Sequence, residues 1–177
     1  MNARSAHRQL CLVLRGGATR RFHSIPMLTQ QTVADHSANV AWLCALLNQG
    51  TLRAELLLAA LQHDLPEADV GDLPSPAKRR LSAEMRAALA KLERGVLARH
   101  DHTDYVAALF KQELRTLKVA DVLEGLLRCA HEAQLGNSHI AVVAARYRRR
   151  SNSSLASLFR ESTILRPWAP GMIWVGP

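Results

Sequence analysis

Apolar residues along this chain recur at helical rather than strand spacing. Residues 5–14 predict a first helix, with Gly16-Gly17 as its stop, and a polar irregular connection, ATRRFHSIPMLTQQT, follows over 18–32. Thr32 is a suitable N-cap for a second helix over 33–47, where Val33, Val40, Leu43 and Leu47 fall near one face and His36 lies one turn before Val40. Thr51 can cap a third helix over 52–64, LRAELLLAALQHD, which is apolar almost all round and so expected at the centre. Gly71, Pro74 and Pro76 make GDLPSP a loop. Ser82 opens an amphipathic helix to about Arg99, and HDHTD at 100–104 reads as a turn. A long helical pattern then runs from about Asp104 to Leu135, broken at most once, and stops at Gly136-Asn137. Another helix over 138–150 closes on Arg146, Arg148, Arg149 and Arg150, a favourable charge for a helix C-terminus. SNSS at 151–154 can cap a short last helix, and the tail from Arg166 carries Trp168 and Trp174, which suggest docking. No set of alternating strands is present, so the fold class is all-α: a single-domain bundle of about six or seven helices.

Composition narrows the class. A chain of 177 residues with 48% apolar content can bury a sizeable core. No apolar run approaches the roughly 18 residues of a membrane span, and the brief patch Leu10–Leu14 is too short for a signal peptide, so a cytoplasmic protein without a membrane partner is expected. Cys11, Cys44 and Cys129 are far apart, form no ligand spacing and read as reduced core residues. The net charge of +8 fits nucleic acid, a small anionic substrate or a plain basic surface.

Four ionisable residues interrupt apolar helical runs: His36 in VADHSANVAW, His63 and Asp64 in LLLAALQHDLP, and Asp121 in LKVADVLEGLL. Each alone is more simply a hydrogen-bonded core or capping residue. Together, two imidazoles and two carboxylates on three helices form a plausible set for one divalent ion. Adjacent His63 and Asp64 point about 100° apart on a regular helix, so both reach one ion only near its side or end, and the break at Pro66 is consistent with that placement. His100 and His102 belong to a polar turn, RYRRR at 146–150 to a solvated helix end, and His131 and Glu132 to the surface or to packing. Asp69 has no role beyond solvated surface, and His23 borders the candidate pocket.

The order H…HD…D, with RRFHSIPMLTQQTVADHS, HDLPEADVGDLPSPAK and LKVADVLEGL around it, resembles the HD superfamily of metal-dependent phosphohydrolases. Within it, the chain is similar over about residues 8–140 to the small 5′-deoxynucleotidases and to related phage enzymes that hydrolyse dATP to deoxyadenosine and triphosphate. The resemblance implies an HD-type bundle with His36, His63, Asp64 and Asp121 as ligands of a zinc, cobalt or manganese ion, and a second magnesium-like ion where a triphosphate binds. It implies Glu67 as the acid/base carboxylate. Arg21 and Phe22 would hold phosphate and line the nucleoside pocket, with Phe where the family has Trp. The loop from Asp72 through Leu73, Pro74, Ser75 and Pro76 would contact the deoxyribose, Asp72 at the 3′-hydroxyl, and Lys78 and Lys118 would lie near the phosphates. The family's small members assemble, so a homo-oligomer is expected.

The chemistry is coherent without the family. Phosphoryl transfer to water needs charge neutralisation, which Arg21, Lys78 and Lys118 supply, and a proton carrier, for which Glu67 is the nearest spare carboxylate. This chemistry gives phosphoester or phosphoanhydride hydrolysis, and the resemblance implies a deoxynucleotide as the substrate. The basic balance and Lys78-Arg79-Arg80 lean toward a dNTP triphosphohydrolase, to which the resemblance to the phage enzymes adds a dATP preference, with a 5′-deoxynucleotidase of monophosphates as the alternative. Two rivals lie outside this class. A basic nucleic-acid-binding helical module is disfavoured by the lack of helix-turn-helix or zinc-finger spacing and by few aromatics; a steep salt slope in DNA binding would mark it. A nucleotide sensor would bind without turnover.

Overall fold

The computed structural model describes residues 2–154. They form α1 (Ala3–Gly17), α2 (Val33–Leu47), α3 (Ala54–Gln62), α4 (Glu67–Val70), α5 (Ser75–Arg80), α6 (Ala83–Arg99), α7 (Lys111–Gln134), a 3-10 turn at Ser138–Ile140, and α8 (Ala141–Ser154). No β-strand occurs among the described residues; one isolated antiparallel bridge joins Arg20 to Thr32. The architecture is the expected all-α HD-type bundle. The Trp168/Trp174 tail lies outside the described residues.

Three helices build the centre. α2 packs on both α3 and α7, and Ala41, Ala59, Ala60 and Ala120 let the three backbones approach around Val40, Cys44, Leu56 and Leu117. α8 packs along α7. A second cluster of Leu12, Leu65, Val96 and Leu97 ties α1 and α6 to the bend after α3. The small central residues matter for the site: they bring the start of α2, the end of α3 and the middle of α7 to one place.

Several boundaries follow local chemistry. Thr32 caps α2 in a reciprocal box, accepting from Asp35 N at 3.2 Å while Asp35 Oδ2 accepts from Thr32 N at 2.9 Å. Ser82 caps α6 by accepting from Met85 N at 3.2 Å. α1 runs to Gly17 and ends there, at the expected stop. A Cβ on Gly16 would lie 2.6 Å from Leu65 O, so this glycine also admits the bend against the helix. Other boundaries differ from expectation. Thr51 remains in the turn after α2, and Arg53 occupies the cap position of α3 without a side-chain capping bond. α3 is not buried all round: Leu57, Leu58 and Leu61 are exposed. Pro76 does not break the chain but sits in the first turn of α5, where proline's missing N–H costs nothing. α7 starts at Lys111, later than the periodicity predicts, because Asp104 accepts from Ala107 N in a turn and Phe110 N donates to Glu113. α8 continues through 151–154, where a new cap was expected. All three cysteines are free, with Cys44 and Cys129 buried and Cys11 half-buried.

Candidate metal centre and substrate cavity

His36 lies in the first turn of α2, fixed by the Thr32 cap, and is fully buried. His63 and Asp64 follow directly on α3. His63 N still closes the helix on Ala59 O, and tight bonds from Leu65 N to Gln62 O and from Glu67 N to Asp64 O turn the chain into α4. Asp121 comes from the middle of α7. His36 Nε2 lies 3.3 Å from His63 Nε2, 3.5 Å from Asp64 Oδ2 and 3.6 Å from Asp121 Oδ1, and His63 Nε2 lies 3.6 Å from Asp64 Oδ2. The ligand-type atoms of His36, His63 and Asp64 are mutually close enough for one ion.

The hydrogen bonds of the two rings decide what that cluster wants. His63 Nδ1 faces Ala60 O at 2.8 Å, and a carbonyl accepts, so Nδ1 carries the proton. His36 Nδ1 faces Glu124 Oε2 at 2.6 Å, so it too donates. Both Nε2 atoms are then left with lone pairs, aimed at each other and at two carboxylate oxygens. Two imidazole lone pairs and the Asp64 carboxylate converge, with Asp121 Oδ1 3.6 Å from His36 Nε2 and Arg21 donating to Asp64 Oδ2. This arrangement suits a cation, and mixed imidazole and carboxylate ligands suit a divalent transition metal. The residues present therefore fit such an ion.

The surrounding charges are arranged to match. Arg21 Nη1 donates to Asp64 Oδ2 at 2.9 Å, and Lys118 Nζ donates to Asp121 Oδ2 at 2.9 Å. Burial favours the neutral acids, but His63, Arg21 and His36 hold Asp64 below the usual carboxylate range, and Lys118 leads the groups that hold Asp121 there. Glu67, buried at 5% exposure, behaves oppositely. Burial, with Asp64 and Asp72 adding repulsion, pushes it up to about 8 against the pull of Lys78. Lys78 Nζ reaches Glu67 Oε1 at 3.4 Å, while Glu67 Oε2 and Arg21 Nε are buried without a hydrogen-bond partner.

These groups face a cavity of about 530 Å³. Asp72, Leu73, Pro74, Ser75, Pro76 and Lys78 form one side; Arg21, Phe22 and His23 form another; Lys118 and Asp121 border the floor with His63, Asp64 and Glu67. Every residue proposed from the sequence lines it except His36, which lies buried beneath. Phe22 has a left-handed backbone, φ 55°, a strained conformation for an aromatic residue and one found where a side chain must be aimed.

Sequence reasoning missed the roles of five residues. Glu124, three residues after Asp121 and on the same helix face, orients His36. Tyr147 and Arg146 of α8 line the cavity, and the Tyr147 ring packs where a Cβ on Gly125 would come within 2.3 Å, so Gly125 lets α8 close over α7. Glu132 was assigned to surface or packing; it is fully buried and holds the 18–32 connection through Leu28 N at 2.9 Å and Thr29 N at 3.0 Å, with Asn137 Nδ2 donating at 2.7 Å. Asp69 was read as unattached; it bridges Arg15 of α1 and Arg99 of α6, each at 2.9 Å.

A helical bundle gathering His, His-Asp and Asp at the floor of a basic cavity is an HD-domain phosphohydrolase. More narrowly, the chain belongs to the YfbR-like 5′-deoxynucleotidase family, whose model matches residues 17–158. The 5′-deoxynucleotidase YfbR of Salmonella typhi is 31% identical over 135 residues, covering 66% of this chain and 68% of the relative. That of Photorhabdus temperata is 28% identical over 142 residues, with the same coverage. Among solved structures, the cyanophage S-2L HD phosphohydrolase DatZ, bound to dA and one catalytic Zn2+ ion, superposes with a TM-score of 0.60 at 22% identity, covering 82% of this chain and 85% of that one. An HD-domain phosphohydrolase from Listeria innocua gives 0.64 at 18% identity, covering 94% and 90%. The family match runs past residue 140 and takes in α8, which supplies Tyr147. No helix among the described residues is long and apolar enough to cross a membrane.

Proposed function

We propose that the protein is a metal-dependent 5′-deoxynucleotidase that converts deoxynucleoside 5′-monophosphates to deoxynucleoside and inorganic phosphate. The observation that carries this reading is the convergence of His36 Nε2, His63 Nε2 and Asp64 Oδ2, with Asp121 Oδ1 near His36 Nε2, at the floor of a cavity that also holds Arg21 and Glu67. Those four residues would hold a zinc, cobalt or manganese ion. A divalent ion bound there supplies positive charge to the phosphoryl group and makes a water acidic enough to ionise near pH 7, about where such sites bring it.

The chain's own groups do the rest. Arg21 is anchored through Nη1 on Asp64, and its unpartnered Nε is a donor for a phosphoryl oxygen. Lys118 and Lys78 offset the remaining phosphate charge. Glu67, with Oε2 free to accept or give a proton, protonates the leaving O5′ as the P–O5′ bond breaks and recovers a proton from the attacking water. The loop from Asp72 to Pro76 borders the sugar: Asp72 accepts from the 3′-hydroxyl, and Pro74 and Pro76 stiffen a wall that leaves no room for a 2′-hydroxyl.

The sequence alone leans to a triphosphate substrate. The monophosphate reading is now the better supported, since the curated relatives at 28–31% identity are named 5′-deoxynucleotidases, whereas the likeness to the dA-bound phage enzyme at 22% identity speaks for fold. One observation keeps the dNTP triphosphohydrolase reading as the second: Arg79, Arg86 and Arg146 also line the cavity, beyond what one phosphate needs. A panel of deoxy- and ribonucleoside mono- and triphosphates with zinc, cobalt and manganese tests both. Inorganic phosphate from dNMPs, with little from NMPs, is expected. Inorganic triphosphate from dNTPs, with dNMPs untouched, would overturn the monophosphate reading.

A further inference from the structure

Behind His36, away from the cavity, lies a set of polar side chains that the proposed reaction does not use. Glu124 is 3% exposed, and its Oε2 accepts from His36 Nδ1 at 2.6 Å. Its Oε1 accepts from Gln31 Nε2 at 2.6 Å and from Asn39 Nδ2 at 3.3 Å. The four residues come from the end of the 18–32 connection (Gln31), from α2 (His36 and Asn39) and from α7 (Glu124). A buried carboxylate is expensive, and an apolar side chain would fill the same volume between α2 and α7 without that cost. Its partners also differ from those of Glu132 on the same helix. Glu132 receives backbone N–H groups and so holds chain in place. Glu124 receives side chains alone, and the one on its Oε2 is an imidazole whose opposite nitrogen points into the site.

A carboxylate in that position does three things to an imidazole. It keeps the proton on Nδ1, fixes the ring plane, and makes Nε2 a stronger electron donor. We propose that Glu124, itself held by Gln31 and Asn39, is a positioning residue that sets the affinity of the His36/His63/Asp64 centre for its divalent ion. This role rests on the metal-centre reading above and extends it to a residue outside the ligand set. A second cleft, of about 420 Å³, is lined by Gln31, Asn39 and Glu124. A carboxylate deleted from position 124 is therefore replaceable from solvent.

Cobalt titration of the metal-free full-length protein, followed by visible absorption and by competition with zinc, reads the role directly. Glu124→Gln and Glu124→Ala are expected to stay helical and to lose roughly 10–100-fold in ion affinity, the usual effect of removing such a partner. Their cobalt spectra shift, and KM for substrate at saturating ion stays near the parental value. Added acetate restores part of the affinity of Glu124→Ala and leaves the parent unchanged. Folded variants that bind cobalt as tightly as the parent, with the same spectrum, overturn the proposal. Where the Ala variant does not fold, the Gln variant, which keeps the volume, decides alone. A parent that takes up no cobalt, or a His63→Ala variant that binds it undiminished, overturns the metal-centre reading and this role with it.

Discussion

The bend after α3 and the C-terminal half of α7 each bury a glutamate, and the fold treats the two in opposite ways. Glu132 accepts from Leu28 N, Thr29 N, Thr29 Oγ1, Arg128 and Asn137, so both oxygens are saturated. Burial alone would raise its pKa, yet those donors hold it down to about 2. Glu67 has one weak contact from Lys78, and no partner at Oε2 among the described residues, and burial pushes it up to about 8. The donors at Glu132 belong to the connection it secures, so that carboxylate is committed to architecture. Glu67 faces the cavity, where substrate or water is the missing partner. Unmet hydrogen-bonding capacity, rather than burial, separates Glu67 from Glu132 and suits it to the proton-carrying role proposed above.

The sharpest break of this contrast is at Glu67. Glu67→Ala should lower kcat by about 10²–10⁴, the span of general acid–base catalysis, while ion affinity and thermal stability stay close to parental. Little stability is at stake because the side chain leaves few bonds behind. Steady-state kinetics at saturating ion, paired with a melting curve, separate the two effects. A variant with parental kcat would place Glu67 with the structural carboxylates.

Glu132 should show the reverse. Glu132→Ala strands buried donors of Leu28, Thr29 and Asn137 and is expected to cost about 3 kcal/mol in urea unfolding. Because the same connection presents Arg21 and Phe22, KM should rise more than kcat falls. The pH dependence carries a definite sign. The folded pKa is about 2 against an ordinary 4.5, so the contribution of Glu132 is complete above about 4.5 and is lost as pH falls toward 2. Acid unfolding of Glu132→Gln should therefore be shallower over that window than that of the parent. In the metal-free protein Glu67 works the other way, its penalty growing as pH rises from about 4.5 to about 8. Equal acid profiles for parent and Glu132→Gln would remove the distinction.

Most of the helical fold was legible because period 3.6, the Thr32 and Ser82 caps and the Gly136 stop are local signals. The residues around the candidate site were legible as ionisable interruptions of apolar runs, together with the family pattern. What was not legible depends on neighbours distant in sequence. Gly16 reads only as a stop until Leu65 is packed on it, 49 residues later by number. Asp121, Glu124, Arg128 and Glu132 form a polar stripe at helical spacing on α7, visible in the sequence. That stripe looks like a solvated face until the 18–32 connection and α2 cover it. Tyr147 needs Gly125 on another helix before it has a place in the cavity wall.

Asp69 tests the contrast at its weakest point, because it shares a short stretch of chain with Asp64 and Glu67 but neither faces the cavity nor is deeply buried. It joins two arginines, Arg15 and Arg99, whose side chains are 57% exposed, and so clamps α1 to α6 across α4. The hydrogen bond from Arg99, with that from Arg15, holds its pKa below the usual range, but water and salt screen such pairs. Asp69→Asn should therefore change stability by no more than about 1 kcal/mol, an effect that fades at high salt, and should leave kcat and ion affinity untouched. Urea unfolding at low and high salt, run beside the kinetics, measures it. A loss of activity with stability intact would mean that the position of α4, and through it Glu67, depends on this clamp, so that architecture and chemistry are not separable within the bend.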